Sequence, residues 1–481
     1  MIARSIRLSF LVLAVIVAGA GVGAAKEAPF FPEPAALRTQ VKFWEKIFAV
    51  YSKDQIVFHD PENLARVYSV LDFRDRAAAG ESELVLEIAK RDAVARERER
   101  IREVLLRLDA RQGNTGGLDD DERKVWDLFG KDKDPKRFAL AADPARIRTQ
   151  RGLRERFAEG VRVSRRYLAD MEEIFRRHGL PVELTRLPLV ESCFDIEAYS
   201  KVGAAGIWQF MPSTGRSYMA IAGVVDERRD PLRATRGAAL HLKADHAALG
   251  SWPLAITAYN HGRAGIARAV RETGTDDIGR IVKEYRGPQF GFASRNFYAE
   301  FLAALHVERS YKDHFGELQF DAPFVGDEVE LSTMLAGHVA ASCADVPPAD
   351  LAALNPAVDR NVFLGGGNLP RGYLLRIPQG TAGAFRQRLA QNAAAARVAA
   401  ARSGDERRGG DKSASARAAT RTRGAGGTIA GGGEKTHTVA RGQTLSHIAE
   451  RYRIPVRKLR DANRLRGNSV KAGQILKIPT G

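Results

Sequence analysis

Cysteine is nearly absent from this chain: Cys193 and Cys343 are the only two in 481 residues. So few exclude a disulfide-stapled scaffold and leave stability to apolar cores. The two fall in what read as different domains, and Cys193 is expected to pack as a small apolar side chain. No His and Cys cluster has metal-ligand spacing, so neither a metal nor a cofactor is expected. Nucleic-acid signatures are missing as well: there is no helix-turn-helix, zinc-finger spacing or aromatic ribonucleoprotein motif. The basic excess, 75 Lys and Arg against 58 Asp and Glu for a formal charge of +17, therefore points to an acidic polymer or an anionic surface.

Long apolar runs are scarce too. Leu8 to Val17 is short for a membrane span. With Arg4 and Arg7 before it and Ala20 to Ala25 after it, the run reads as a secretory signal cut after Ala24 or Ala25. That predicts an exported protein of the periplasm or cell envelope. No cysteine closes the run, so a lipid anchor is not supported, while some association with membrane or envelope stays open.

What the chain does have is concentrated in Leu187 to Pro212, LPLVESCFDIEAYSKVGAAGIWQFMP. Glu191 follows the apolar Leu187, Leu189 and Val190 and precedes Phe194. A carboxyl desolvated by such neighbours keeps its proton to higher pH, as a general acid near neutrality must. Gly203 and Gly206 permit positive φ and close backbone approach, so the chain can fold back and lay Gln209 and Met211 beside the acid. Periodicity alone would leave Glu191 an ordinary surface helix residue.

The combined pattern resembles the soluble lytic transglycosylase (SLT, goose-lysozyme-like) family: Glu191, Ser192, Phe194, then Ser200, Gly203, Ala204, Gly206, Gln209, Met211, Pro212 and, further on, Ala258, Tyr259, Asn260. The likeness is to the membrane-bound lytic transglycosylase D type. It implies a lyase in which Glu191 is the catalytic acid and Ser200, Gln209, Met211, Tyr259 and Asn260 bind peptidoglycan, with the Tyr259 hydroxyl facing the sugar. Two positions depart from the family. His261 stands where relatives often carry a small residue, and Phe297 takes the place of a family tyrosine, so no role is carried onto Phe297 or Tyr298.

The expected fold class is mainly α: a lysozyme-like catalytic domain, a helical N-terminal region and small βααβ lysin-motif (LysM) modules. The expected division is a signal peptide at 1–25, a helical region at 26–150 and the catalytic domain at 151–315. A degenerate LysM-like module at 320–380, a flexible basic linker at 381–434 and a LysM domain at 435–480 follow. In the N-terminal region Ser82 should cap a helix running from Leu84 to Leu108, and Gln55 to Asp60 reads as a short strand. One long helix is predicted from Gln150 to His178, with a kink at Pro188 before Glu191. In the last domain Leu445, Ile448, Ala449 and Tyr452 form one helical stripe. Binding there would fall on loops around Gly442, Thr444 and Asn463 to Asn468.

By the resemblance, the chain cleaves the bond between N-acetylmuramic acid and N-acetylglucosamine, leaving 1,6-anhydro ends. A water-using muramidase pairing Glu191 with Asp195 four positions on, or a non-catalytic peptidoglycan-binding scaffold, are the alternatives.

Overall fold

Apolar residues at helical spacing make Arg38–Ala49 a helix, α1, that buries Val41, Phe43, Trp44, Ile47 and Phe48. The computed structural model describes residues 30–395 and, further on, 435–439, 444, 445, 448, 449, 452, 454–465, 467, 470, 471 and 473–479. The expected signal peptide and positions 396–434 of the expected linker lie outside the described residues. The chain forms two units, 1–395 and 396–481.

After α1 come strands β1 (Gln55–Asp60) and β2 (Asn63–Asp72), which pair antiparallel; β3 (Arg148–Arg151) joins the other edge of β1. Helices α2 (Glu83–Ala110) and α3 (Asp120–Leu128) lie between β2 and β3 in sequence. Alternation along β1 sends Val57 to one core and Ile56 and Phe58 to another, built with Ile101, Leu105 and Phe138. Ser82 caps α2 as predicted, its hydroxyl accepting from the Val85 amide.

This region is mostly helical, as expected, but the strand foreseen at Gln55–Asp60 belongs to a three-stranded sheet, and α1 packs on β2 and on a helix near residue 300. β3, reading RTQR, is held by backbone pairing to β1 and offers no apolar pattern to detect.

The long helix predicted from Gln150 to His178 is two, α4 (Arg154–Ser164) and α5 (Leu168–Arg177). The Arg166 and Tyr167 amides donate to carbonyls three residues back, tightening the turn between them. The bend lets Val161, Leu168 and Met171 share one core. Short helix α6 (Leu187–Glu191) then follows a 3-10 turn, Val182–Arg186. Pro188 sits in the first turn of α6, where no amide is missed, so it starts a helix rather than kinking one.

Helices α7 (Pro231–Leu249), α8 (Trp252–His261), α9 (Arg263–Thr273) and α10 (Phe292–Arg309) complete the bundle. α10 lies at its centre: it contacts α1, α6 and α8, and Phe301, Ala303 and Ala304 are fully buried.

A second small core follows, built on β4 (Asp327–Glu330), α11 (Gly337–Ala344), α12 (Pro348–Leu354) and β5 (Leu374–Ile377), with β4 antiparallel to β5. It is pinned to the bundle. The Asp226 amide donates to Ala357 O at 2.7 Å, the Asp359 amide to Val224 O at 2.9 Å, and Arg376 pairs with buried Asp230 at 2.8 Å. Positions 382–395, expected to be flexible linker, are helical up to the limit of the described residues. Phe385 and Leu389, one turn apart, pack on this core, and the Ala- and Gln-rich remainder favours helix.

In the other unit, β6 (Lys435–Thr438) pairs antiparallel with β7 (Ile475–Ile478), and α13 (Val456–Ala462) lies between them in sequence. Leu445, Ile448 and Ala449 are buried with Leu459 and Leu476, and Tyr452 packs against them. Just past α13, the Asn463 side chain donates to Lys477 O at 2.8 Å and accepts from the Lys477 amide at 2.7 Å. Asn355, just past α12, makes the same two bonds to Arg376, at 2.7 and 2.9 Å. The two modules thus tie helix to closing strand in one way. Gly442 and Asn468 lie outside the described residues.

Among the described residues no helix is long and apolar enough to cross a membrane.

Candidate active site

Glu191 is the last residue of α6, and the chain breaks sharply after it. Cys193 and Phe194 take positive φ, 54° and 57°, an unusual conformation for side-chain-bearing residues. Neighbouring packing holds it in place. The Ser192 hydroxyl donates to Ile207 O at 3.0 Å, and Gly160 of α4 lets the Cys193 carbonyl approach so closely that an added Cβ would lie 2.7 Å from it. Because the helix stops here, Asp195 does not share a face with Glu191. It is exposed and turned toward Arg156, 4.0 Å away. The carboxylate pair that a continued helix would have made is absent.

Leu187, Leu189 and Phe194 are buried around the acid, which keeps only a partly accessible edge. Burial pushes the Glu191 carboxyl up to about 8. The expectation of a desolvated acid rested on the same residues.

The glycine loop is a built object. The Ser200 hydroxyl accepts from the Ala204 amide at 2.8 Å, and the Gln209 side-chain amide donates to Gly206 O at 2.8 Å. Both side chains brace the loop. Arg228, buried, adds a clamp that sequence reasoning missed: it donates to Gly203 O at 2.7 Å and Phe210 O at 2.9 Å while paired with Asp226 at 2.6 Å. Gly206 has φ of 71°, and a Cβ there would fall 1.9 Å from Arg228 O. Gly206→Ala should therefore cost about 1–3 kcal/mol or more, since the clash is with backbone. Gly203→Ala, whose Cβ would meet nothing nearer than Pro212 at 3.7 Å, should cost less. Urea midpoints of the two variants check the order.

Tyr259 lies on α8, near enough to feel the charge of the acid. The Glu191 charge and that of Asp245, after burial itself, hold its phenol well above the usual range. Its hydroxyl donates to Trp208 O at 2.8 Å. That bond commits the proton to the loop and leaves the oxygen to accept. Met211, 39% exposed, begins the next short helix, Pro212–Gly215. Asn260 is exposed and its side-chain oxygen accepts from Ser294 at 2.8 Å, a hydroxyl also 3.2 Å from His261 Nδ1. Burial lowers the His261 pKa.

Cys193 and Cys343 are both free and buried, and burial raises the Cys193 thiol to about 11. Among the described residues no group of three His, Cys, Asp or Glu could hold a metal ion.

Residues 172–282 match the family described as Transglycosylase SLT domain, and residues 437–479 that described as LysM domain. The chain carries an SLT domain and a LysM domain. It is 29% identical over 317 residues to the membrane-bound lytic murein transglycosylase D of Escherichia coli (strain K12), a stretch covering 64% of this chain and 62% of the relative. The protein of that name from Escherichia coli O6:H1 gives the same figures. The chain thus spans less than two thirds of the length of these relatives. Among solved structures, an inactive mutant of the lytic transglycosylase Slt from Pseudomonas aeruginosa matches 44% of this chain and 37% of its own, at 19% identity and a TM-score of 0.27.

The SLT match contains Glu191, the glycine loop and Tyr259. It ends before α10, which carries a further carboxyl near the acid, Glu300. Nothing local in FYAEFLAALH marks that residue as part of a site.

Proposed function

We propose that this chain is a lytic transglycosylase that cleaves the β-1,4 bond between N-acetylmuramic acid and N-acetylglucosamine in peptidoglycan, in the periplasm or cell envelope. The observation that carries the reading is Glu191: a carboxyl held protonated past neutral pH by burial, next to Ser192, whose hydroxyl ties the chain to Ile207 just after the glycine loop. It protonates the oxygen leaving the muramic acid as the sugar approaches an oxocarbenium-like state. The resulting carboxylate then takes the proton of that sugar's own C6 hydroxyl, whose oxygen bonds to C1 and closes the 1,6-anhydro ring. A carboxyl whose pKa lies near the working pH suits both halves. The intramolecular nucleophile replaces water, and its high effective molarity makes a second enzymic carboxylate unnecessary.

Ser200 and Gln209 support this chemistry by fixing the loop, Tyr259 by bracing Trp208 beside the acid, and Met211 and Asn260 by offering exposed side chains to the glycan. The LysM domain tethers the enzyme to glycan strands, and the 320–380 module serves as a fixed wall of the catalytic unit.

A muramidase needs an ionised partner beside the protonated acid. Asp195 points elsewhere, and Glu300, raised by burial to about 8, is itself protonated near neutrality.

The test is mass spectrometry of products released from purified sacculi. Anhydro ends are the expected result. Reducing ends would establish the hydrolase, and no release at all would leave a binding scaffold.

A further inference from the structure

Three linked side chains of the SLT domain have no task in the reaction: Asp245 and His241, one turn apart on α7, and Tyr218, just past the Pro212–Gly215 helix. Asp245 is fully buried. One of its carboxylate oxygens accepts from Arg263 Nε of α9 at 2.6 Å, while the other, Oδ2, is buried without a hydrogen-bond partner and has His241 Nε2 3.6 Å away. The second ring nitrogen of His241, Nδ1, is 3.1 Å from the Tyr218 hydroxyl. Carboxylate, imidazole and phenol thus follow one another. A buried anionic oxygen left short of a donor is costly, and here its nearest polar neighbour is the imidazole.

These contacts fix where the protons lie. A carboxylate oxygen has only lone pairs to offer, so the ring hydrogen belongs on Nε2, facing Asp245. A neutral ring then has a bare Nδ1, which can only accept, and the Tyr218 hydroxyl donates to it. Burial lowers the His241 pKa and keeps the ring neutral; the Asp245 charge opposes this and the Arg263 charge assists it. Tyr218 is half-buried, and with its proton turned onto His241 its oxygen keeps lone pairs for a partner from outside. Tyr259 of α8 is set in the same way, its proton on Trp208 O. The two phenols are joined by packing. The His241 ring stands edge-on to both, 5.5 Å from Tyr259 and 5.5 Å from Tyr218, and the Phe210 ring lies 5.9 Å from the first and 6.4 Å from the second.

We infer that Tyr218 is a further glycan-binding residue, its hydroxyl oxygen accepting from a hydroxyl or acetamido N–H of the sugar chain, and that His241 is the positioning residue that holds the phenol in that orientation. Phe210 sits between Gln209 and Met211 in the chain, so Tyr218 extends the candidate site outward from Tyr259 by way of Phe210 and His241. The direction of the bond matters. A phenol whose proton is already committed selects for donors, and a glycan carries hydroxyl and N–H donors along its length. Neither residue has to reach the reacting atoms, so losing either should weaken binding and spare the chemical step.

The inference rests on the proposed function, so one measurement needs turnover and one does not. In the full-length Glu191→Gln protein labelled with 15N at histidine, the His241 signals are assigned by their loss on adding His241→Gln. At pH 8 they should show a neutral ring protonated on Nε2. A soluble, peptide-free tetrasaccharide of alternating N-acetylglucosamine and N-acetylmuramic acid should shift the Nδ1 signal, and Tyr218→Phe should abolish that shift. A ring protonated on Nδ1, or an Nδ1 signal indifferent to the saccharide, overturns the proposal. In turnover of soluble glycan strands, Tyr218→Phe and His241→Gln should each raise KM about 3–10-fold, the contribution of one hydrogen bond, and leave kcat within about twofold. The LysM domain is common to every variant, so the differences report the catalytic unit. The double variant should be no worse than the worse single one, because the two side chains act through one bond. Losses that multiply, or that fall on kcat, would make the pair a packing element and sink the proposal. Should His241→Gln fail to fold, Tyr218→Phe, which removes one hydroxyl, decides by the same KM and Nδ1 readouts, with the signals assigned by His241→Asn. If the Nδ1 shift appears as expected while wild type releases no product, the glycan contact stands and the proposed function falls.

Discussion

Glu191→Gln should lower anhydro-product release by about 10²–10⁴-fold, the usual share of a positioned acid and base, while binding to sacculi through the LysM domain persists. The same substitution should stabilise the protein at alkaline pH. Burial raises the Glu191 carboxyl from 4.5 to about 8 in the folded state, so between those values the unfolded chain has released a proton that the native state still holds. Stability therefore falls as pH rises through that window and levels off above it. Below pH 4.5 both states are protonated and the cost is absent. Glutamine carries no charge at any pH and escapes the cost, on the order of 3 kcal/mol once the partly accessible edge is allowed for. Thermal unfolding should show Glu191→Gln melting above wild type at pH 8 and level with it at pH 4. A variant that melted lower at both would mean the acid is held by contacts and not by desolvation.

That double effect explains why the heart of the site was legible in the sequence. Desolvation is a local property, and the residues that supply it, Leu187, Leu189 and Phe194, sit within four positions of Glu191. Gly203 and Gly206 were equally readable, because at these two positions the positive φ is carried by glycine. Long-range features left no such mark. Arg228 clamps the loop across 18 and 25 residues of sequence, and Glu300 meets Glu191 only through the packing of α10 on α6. Helical periodicity misled across Gln150 to His178. Apolar spacing continues through the stretch, but the turn that breaks the helix is set by backbone bonds that spacing does not encode. The expected linker start failed oppositely: Ala-rich composition hid Phe385 and Leu389, enough apolar surface to dock one more helix.

The site also depends on a contact some distance along the chain, and the variant that exposes this is Asp230→Ala. Asp230 is 1% exposed. One carboxylate oxygen caps α7, accepting from the Leu232 and Arg233 amides, each at 3.0 Å, and the other accepts from Arg376 of β5 at 2.8 Å. Arg376, also buried, bonds Glu328 at 3.0 Å, and Arg233 bonds Glu227 at 2.7 Å and Leu374 O at 2.6 Å. Truncating Asp230 removes a cap and takes from the buried Arg376 guanidinium its most buried carboxylate partner, leaving it Glu328 and Leu354 O, which together should cost on the order of 3 kcal/mol. Asp230→Asn keeps the cap acceptor and loses the charge, so it should fall between wild type and Asp230→Ala in urea midpoint. Adding Arg376→Met to Asp230→Asn should recover part of the loss, because the second change removes the under-compensated buried cation. Activity should follow stability here. The segment Asp226 to Asp230 carries at its middle Arg228, which clamps the glycine loop, and at its end Asp230, which makes the ion pair to the small module. Loosening the pair frees the clamp, so Asp230→Ala, made in the full chain, should lose anhydro-product release at temperatures well below its own melting point. Equal urea midpoints for Asp230→Ala and wild type would show that the buried network contributes nothing and that the module is held by its backbone bridges alone.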